Sequence, residues 1–176
     1  MFVKKNGSRI EITKGDITDQ KDIEAVVNAA NAQLRIGGGV AGAIHRKAGP
    51  ELEKESRQLA PIEPGEAVIT GGYNLPNNYV IHTLGPVYGR DKPEDKLLAQ
   101  CYKNSLDLAE EKGIKKVAFP AISTGAFGYP TREAAKVAFT AIKDKFEEVN
   151  IEVIRFVLYS KRDFEIHKEI GEMILK

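Results

Sequence analysis

Short apolar runs of strand length alternate with longer amphipathic segments along almost the whole chain, and that alternation dictates a layered α/β domain. Strands are predicted over Arg9–Thr13, Ala25–Asn28, Glu66–Thr70, Tyr79–Thr83, Lys116–Pro120 and Val153–Tyr159, with a weaker one near Phe2–Lys4. The run VIRFVLY is β-branched and aromatic nearly throughout, as a strand covered on both faces is. A helix is predicted over Glu94–Lys112, where Leu98, Cys101, Tyr102, Ser105, Leu108 and Ala109 share a stripe that Gly113 ends. A second covers Thr131–Val149, with Ala134, Ala135, Ala138, Ala141, Ile142 and Phe146 inward. A third, Arg162–Leu175, buries Ile166, Ile170, Met173 and Ile174, and a fourth runs from about Val40 to Ala48. Stretches 60–65 and 85–93 read as loops. No repeat or linker divides the chain, so residues 1–176 are expected to fold as one domain with a substantial core.

Two loops are unusually bare. GGGVAGAIH, residues 37–45, opens with three glycines, and STGAFG, residues 123–128, follows the strand KVAFP and precedes a helix. Glycines in succession lose much backbone entropy on folding, which suits a tight turn or a ligand that touches the main chain itself. Two such loops at strand ends, each feeding a helix, would aim amide N–H groups and helix N-termini at one crevice, a site for a diphosphate. The residues alone leave purely structural turns as the alternative.

Gly37, Gly39 and Gly42 match the dinucleotide pattern G-x-G-x-x-G, but the match fails on context. Eight residues, Ala29 to Ile36, separate the end of the preceding strand from Gly37, and no acidic residue closes a second strand where a ribose contact is needed. A P-loop fails as well, because no Lys-Ser or Lys-Thr follows the glycines. A nicotinamide-dependent oxidoreductase is thereby set aside.

Other residues admit two roles each. Asp16, in GDIT, can accept a hydrogen bond from an exocyclic amine or cap a following helix. Of the asparagines in VVNAAN, one can hold the loop and the other can reach a ribose hydroxyl. Tyr159 can stack on a base or pack in the core. His82 reads as a satisfied core histidine, His167 as solvated, and His45 as facing either the crevice or the packing. A net charge of +1 indicates no broad nucleic-acid surface. Cys101 and three dispersed histidines offer no metal ligand set, and no apolar run reaches the length of a leader or membrane span. A cytoplasmic monomer without metal, cofactor or membrane contact is expected.

Taken in order, GDIT, VVNAAN, GGGVAGAIH, AVITGGYNLPNNYVIHTLGP and AFPAISTGAFGYP resemble the macrodomain family, most closely its MacroD-type hydrolases. The resemblance implies a three-layer α/β/α sandwich with a central mixed, mostly parallel sheet, and ADP-ribose as ligand. It gives the adenine amine to Asp16, the ring edge to the Ile17 backbone, and a flanking position to Tyr159. Asn31 would contact the distal ribose, with Asn28 holding the loop. Gly38, Gly39 and Val40 would face the distal ribose and diphosphate, and Ser123, Thr124, Gly125, Ala126 and Phe127 would wrap the phosphates from the other side. Asn31, His45 and Phe127 would serve catalysis.

The departure is Ala41, where MacroD-type enzymes carry an aspartate thought to activate or orient water. Viral and some archaeal macrodomains also read GGGVA. The resemblance therefore implies either a hydrolase of mono-ADP-ribosylated proteins and O-acetyl-ADP-ribose, working by substrate-assisted water attack, or a reader that binds ADP-ribose unchanged.

Overall fold

The structure is a computed structural model that describes residues 2, 3 and 7–176. Among the described residues seven strands form one sheet: β1 (Phe2–Val3), β2 (Arg9–Lys14), β3 (Ala25–Ala29), β4 (Ala67–Gly71), β5 (Tyr79–Thr83), β6 (Lys116–Phe119) and β7 (Val153–Leu158). The helices are α1 (Gly39–Ala48), α2 (Pro50–Ser56), α3 (Glu94–Glu111), α4 (Thr131–Phe146) and α5 (Lys161–Ile174). The strand order is β1-β2-β7-β6-β3-β5-β4, parallel from β2 through β5 and antiparallel at β1 and β4. The C-terminal ends of β2, β7, β6, β3 and β5 consequently share one edge of the sheet. In open α/β sheets that edge is where ligands bind.

Side-chain alternation sorts the two faces. Val27, Ile81, Val117, Phe119, Ile154, Phe156 and Leu158 pack in the core shared with α3, α4 and α5. Val26, Val80, Ala118, Val153 and Val157 pack instead with Ile44, Ala48 and Leu52 of α1 and α2. The result is the three-layer α/β/α sandwich around a mixed, mostly parallel sheet. Helix α3 ends as Gly113 predicts. At φ 70° it lets its own N–H reach the Glu110 carbonyl (3.0 Å) and the Ile114 N–H reach that of Ala109 (2.9 Å), a Schellman closure.

Several expectations change. Helix α5 does not bury Met173, which is 65% exposed, and His167 is not solvated but buried. The cause is Gly171: a side chain there would crowd Ile12 of β2 and Phe139 of α4, so the helix seats on that glycine and turns His167 inward. His167 lies near the rings of Phe139 and Phe156, with Nδ1 2.7 Å from the Asp163 carbonyl. In α3, Leu106 is fully buried and Leu108 only partly. Helix α4 stops at Phe146, and β7 stops one residue before Tyr159. Helix α2 and the 3-10 turn Arg57–Leu59 were not predicted, because PELEKES is short and has no apolar period. Of the weak strand near Phe2–Lys4, Lys4 lies outside the described residues.

Candidate functional site

The loop after β3 shapes one wall of a crevice at the sheet edge. Asn31 folds it: Nδ2 donates to the Arg35 carbonyl (2.9 Å) while Oδ1 accepts the Arg35 N–H (3.0 Å). Asn31 thus holds the loop, the role expected of Asn28. Asn28 is fully buried and its amide meets His82 Nδ1 at 3.1 Å instead. Glycine is required where the loop enters α1, since a side chain on Gly42 would overlap the Gly37 carbonyl. Gly38 caps α1 with no side-chain hydrogen bond, and no acidic residue stands in the first turn. The leading N–H groups and the positive end of α1 therefore remain available to an anion.

The loop after β6 forms the facing wall. The Gly128 N–H donates to the Gly125 carbonyl (3.0 Å) and the Tyr129 N–H to that of Ser123 (2.9 Å), which folds 123–128 into a compact bend. Ser123 takes φ 68°, and a side chain on Gly85, after β5, would overlap its hydroxyl. The main-chain N–H groups of Ser123–Phe127 donate to no described residue. Between the walls lies a cavity of about 280 Å³. It brings together Asn31, Gly38, Gly39, Val40, Ser123, Gly125, Ala126 and Phe127, all singled out by sequence, and among the described residues no charged side chain lines it. Only main-chain dipoles and neutral side chains are there to receive a charge.

Asp16 and Tyr159 lie outside this cavity but along the same edge. The Gly15 N–H donates to the Leu158 carbonyl (2.9 Å), which ties the ends of β2 and β7 together. No helix follows Asp16, so it caps none; its Oδ1 accepts from the Thr18 N–H (2.8 Å) and hydroxyl (2.7 Å). These bonds hold its carboxyl below the usual range, and Oδ2 accepts from no described residue. Ile17 is buried beside it. Tyr159 is 84% exposed rather than core, an open aromatic ring at the end of β7. Thr124 turns its hydroxyl to the Ala121 carbonyl (3.0 Å) and does not line the cavity.

His45 points away from the crevice, into the interface between α1 and the sheet, where it is buried with its ring 6.3 Å from that of His82. Burial lowers its pKa and pushes that of His82 down to about 3, so the His82 ring is neutral. With Nδ1 accepting from the Asn28 amide, His82 carries its proton on Nε2 and donates to Thr70 Oγ1 (2.9 Å). Ala29, Ala30, Gly37, Ala41, Gly85, Ala121 and Ile122 also line the cavity. Their common signal is position just past a predicted strand or within the glycine run; nothing in their side chains marks them.

The chain matches the Macro domain family model over residues 27–138. A macro domain-containing protein of Methanosarcina mazei is 51% identical over 172 residues, 97% of this chain and 91% of that one. The human ADP-ribose glycohydrolase MACROD2 is 46% identical over 174 residues, covering 95% of this chain and 40% of that protein. Among solved structures, the Oceanobacillus iheyensis macrodomain with ADP superposes at a TM-score of 0.94, with 39% identity over 99% of this chain and 96% of that one. The Trypanosoma brucei macrodomain in complex with ADP-ribose superposes at 0.85, with 36% identity over 91% and 68% of the two chains.

Proposed function

The chain belongs to the Macro domain family, and on that premise we propose that it binds ADP-ribose along the strand-end crevice and hydrolyses the ester joining mono-ADP-ribose to Asp or Glu of proteins. The observation that carries the reading is a cavity walled by two bare loops with unpartnered amides and no charged lining. A diphosphate suits it: each N–H to a charged oxygen contributes about 1.5–3 kcal/mol, and the α1 terminus about 0.3–1 kcal/mol. Adenine then lies toward Asp16 Oδ2 and Tyr159, at the ends of β2 and β7. The distal ribose lies toward Asn31, Phe127 and Gly85, at the ends of β3 and β5.

The reaction follows from what the cavity lacks. No lining side chain titrates, so none acts as general acid or base. An acyl ester tolerates this, because the leaving carboxylate has a pKa of roughly 4 and departs without a proton. A water held against the diphosphate attacks the anomeric carbon of the distal ribose; its carbon–oxygen bond to the carboxylate breaks, and the proton of the water leaves through a phosphate oxygen to solvent. Asn31 and Phe127 fix the sugar for that attack, and positioning supplies the rate. His45 acts as packing beneath α1. In O-acetyl-ADP-ribose the held water adds instead to the acetyl carbonyl carbon; the bond from that carbon to the ribose oxygen breaks, and the proton given up by the water passes by a phosphate oxygen to the departing ribose oxygen, leaving acetate and ADP-ribose.

Ala41 favours a second reading, a module that binds ADP-ribose and releases it unchanged. Incubating stoichiometric protein with an auto-ADP-ribosylated acceptor separates the two. Loss of label supports the hydrolase; retained label with ADP-ribose binding intact leaves the reader.

A further inference from the structure

Beside the crevice, the loop that follows β3 and its neighbours carry cationic side chains that do not line the cavity. Loop 31–37 leaves the cavity at Asn31 and returns to it at Gly37, presenting Arg35 and Ile36 at its tip. It is held from beneath: Leu34 is fully buried at φ 54°, and its carbonyl accepts from Ser56 Oγ (2.7 Å). The Ile62 N–H donates to the Ala32 carbonyl (3.0 Å), so segment 56–62 runs along the loop and sets Arg57 and Leu59 beside it. From α1, the Arg46 guanidinium lies against Gly42, where the Gly37 carbonyl also lies. Arg35, Arg46 and Arg57 form no ion pair with a described acid, whereas Arg9, Arg132 and Arg155 are all paired. Ile36, next to Arg35, and Leu59, in the same turn as Arg57, stand exposed.

Resting on the function proposed above, we infer that this flank docks the acceptor polypeptide and selects acidic segments. With adenine at the β2–β7 end, the ribose carries its acceptor out between Phe127 and loop 31–37, beside Arg35. The linkage is made to Asp or Glu, and unpaired guanidiniums pair with neighbouring carboxylates of such a segment. Ile36 and Leu59 offer contact to its apolar side chains. A polypeptide fits better than a nucleic acid, because none of residues 32–36, 46 or 57–62 is an aromatic platform for bases. Asn31, bonded to both main-chain groups of Arg35, sets the ribose and the acceptor in one register.

The test compares the wild type with the double variant Arg35→Glu, Arg57→Glu. Three probes are titrated: free ADP-ribose, an acidic peptide carrying ADP-ribose on glutamine (a linkage that resists hydrolysis), and a single-stranded RNA. Affinity of the variant for the peptide is expected to fall about tenfold at low salt, a difference that shrinks as salt rises, with free ADP-ribose unchanged within about twofold. Equal peptide affinity in the two proteins would overturn the inference. So would an equal loss for free ADP-ribose, which would assign the arginines to the nucleotide, or a loss confined to RNA. A wild type that bound no free ADP-ribose would overturn the proposed function itself, and this surface with it.

Discussion

Asp16 commits one carboxylate oxygen to Thr18 and leaves the other open, so the residue orders its own turn while keeping an acceptor for a ligand amine. Asp16→Ala should weaken ADP-ribose binding by about 1–3 kcal/mol with little change in thermal midpoint, measured by calorimetry; equal affinity would confine Asp16 to its turn. Ala41→Asp tests the mechanism. A carboxylate base contributes typically ~10²–10⁴-fold, yet where the substrate's own phosphate does this work, label-release assays should show a gain below about tenfold. A gain of a hundredfold would mean that a base was missing. At this scale the sequence was legible at the two glycine-bearing loops, whose Gly38, Gly39, Gly125 and Phe127 line the cavity. It was illegible where two residues of one type compete. The Asn28 and Asn31 amides differ only in what surrounds them, and a histidine such as His167 carries no mark of which way Gly171 lets its helix turn.

The elements that build the site are two strand-to-helix loops, and their bareness is a testable property. Gly125 has open space around it and no left-handed φ. Gly125→Val should therefore leave stability within about 1 kcal/mol, as surface substitutions do, while filling the cradle and lowering ADP-ribose affinity at least about tenfold. Unchanged affinity would place the diphosphate elsewhere. The same lining makes a kinetic prediction. With no titrating group in the cavity, the enzymatic rate, corrected for spontaneous ester loss, should be flat between about pH 6 and 8.5; a bell-shaped profile would demand a protein acid or base. Strands and long helices were readable because period and composition agree along each of them, as in VIRFVLY. Helix α2 was not, since seven residues of mostly charged sequence form it by lying against α1 and β4.

Across the whole molecule, three histidines are buried, His45, His82 and His167, each with its pKa lowered chiefly by loss of solvent. Unfolded histidines titrate near 6.5, so as pH falls below that value the unfolded chain binds protons the folded one refuses, and stability is lost. For His82 the loss continues toward about 3. Unfolding free energy from denaturant titration should fall between about pH 7 and 5, with His82 contributing up to ~1.4 kcal/mol per pH unit; a flat profile would mean that the ring gains its proton in place. Among the described residues no helix is long and apolar enough to cross a membrane, and the fold's chemistry gathers at one edge of its sheet. Everything proposed for that edge depends on neutral main-chain donors closing over a diphosphate. Calorimetric titration with ADP-ribose, repeated across a range of salt concentrations, tests it most directly. A single exothermic site with micromolar affinity, little changed by salt, is the predicted result. Absence of heat, or an affinity that collapses with salt as contacts from charged side chains do, would contradict it.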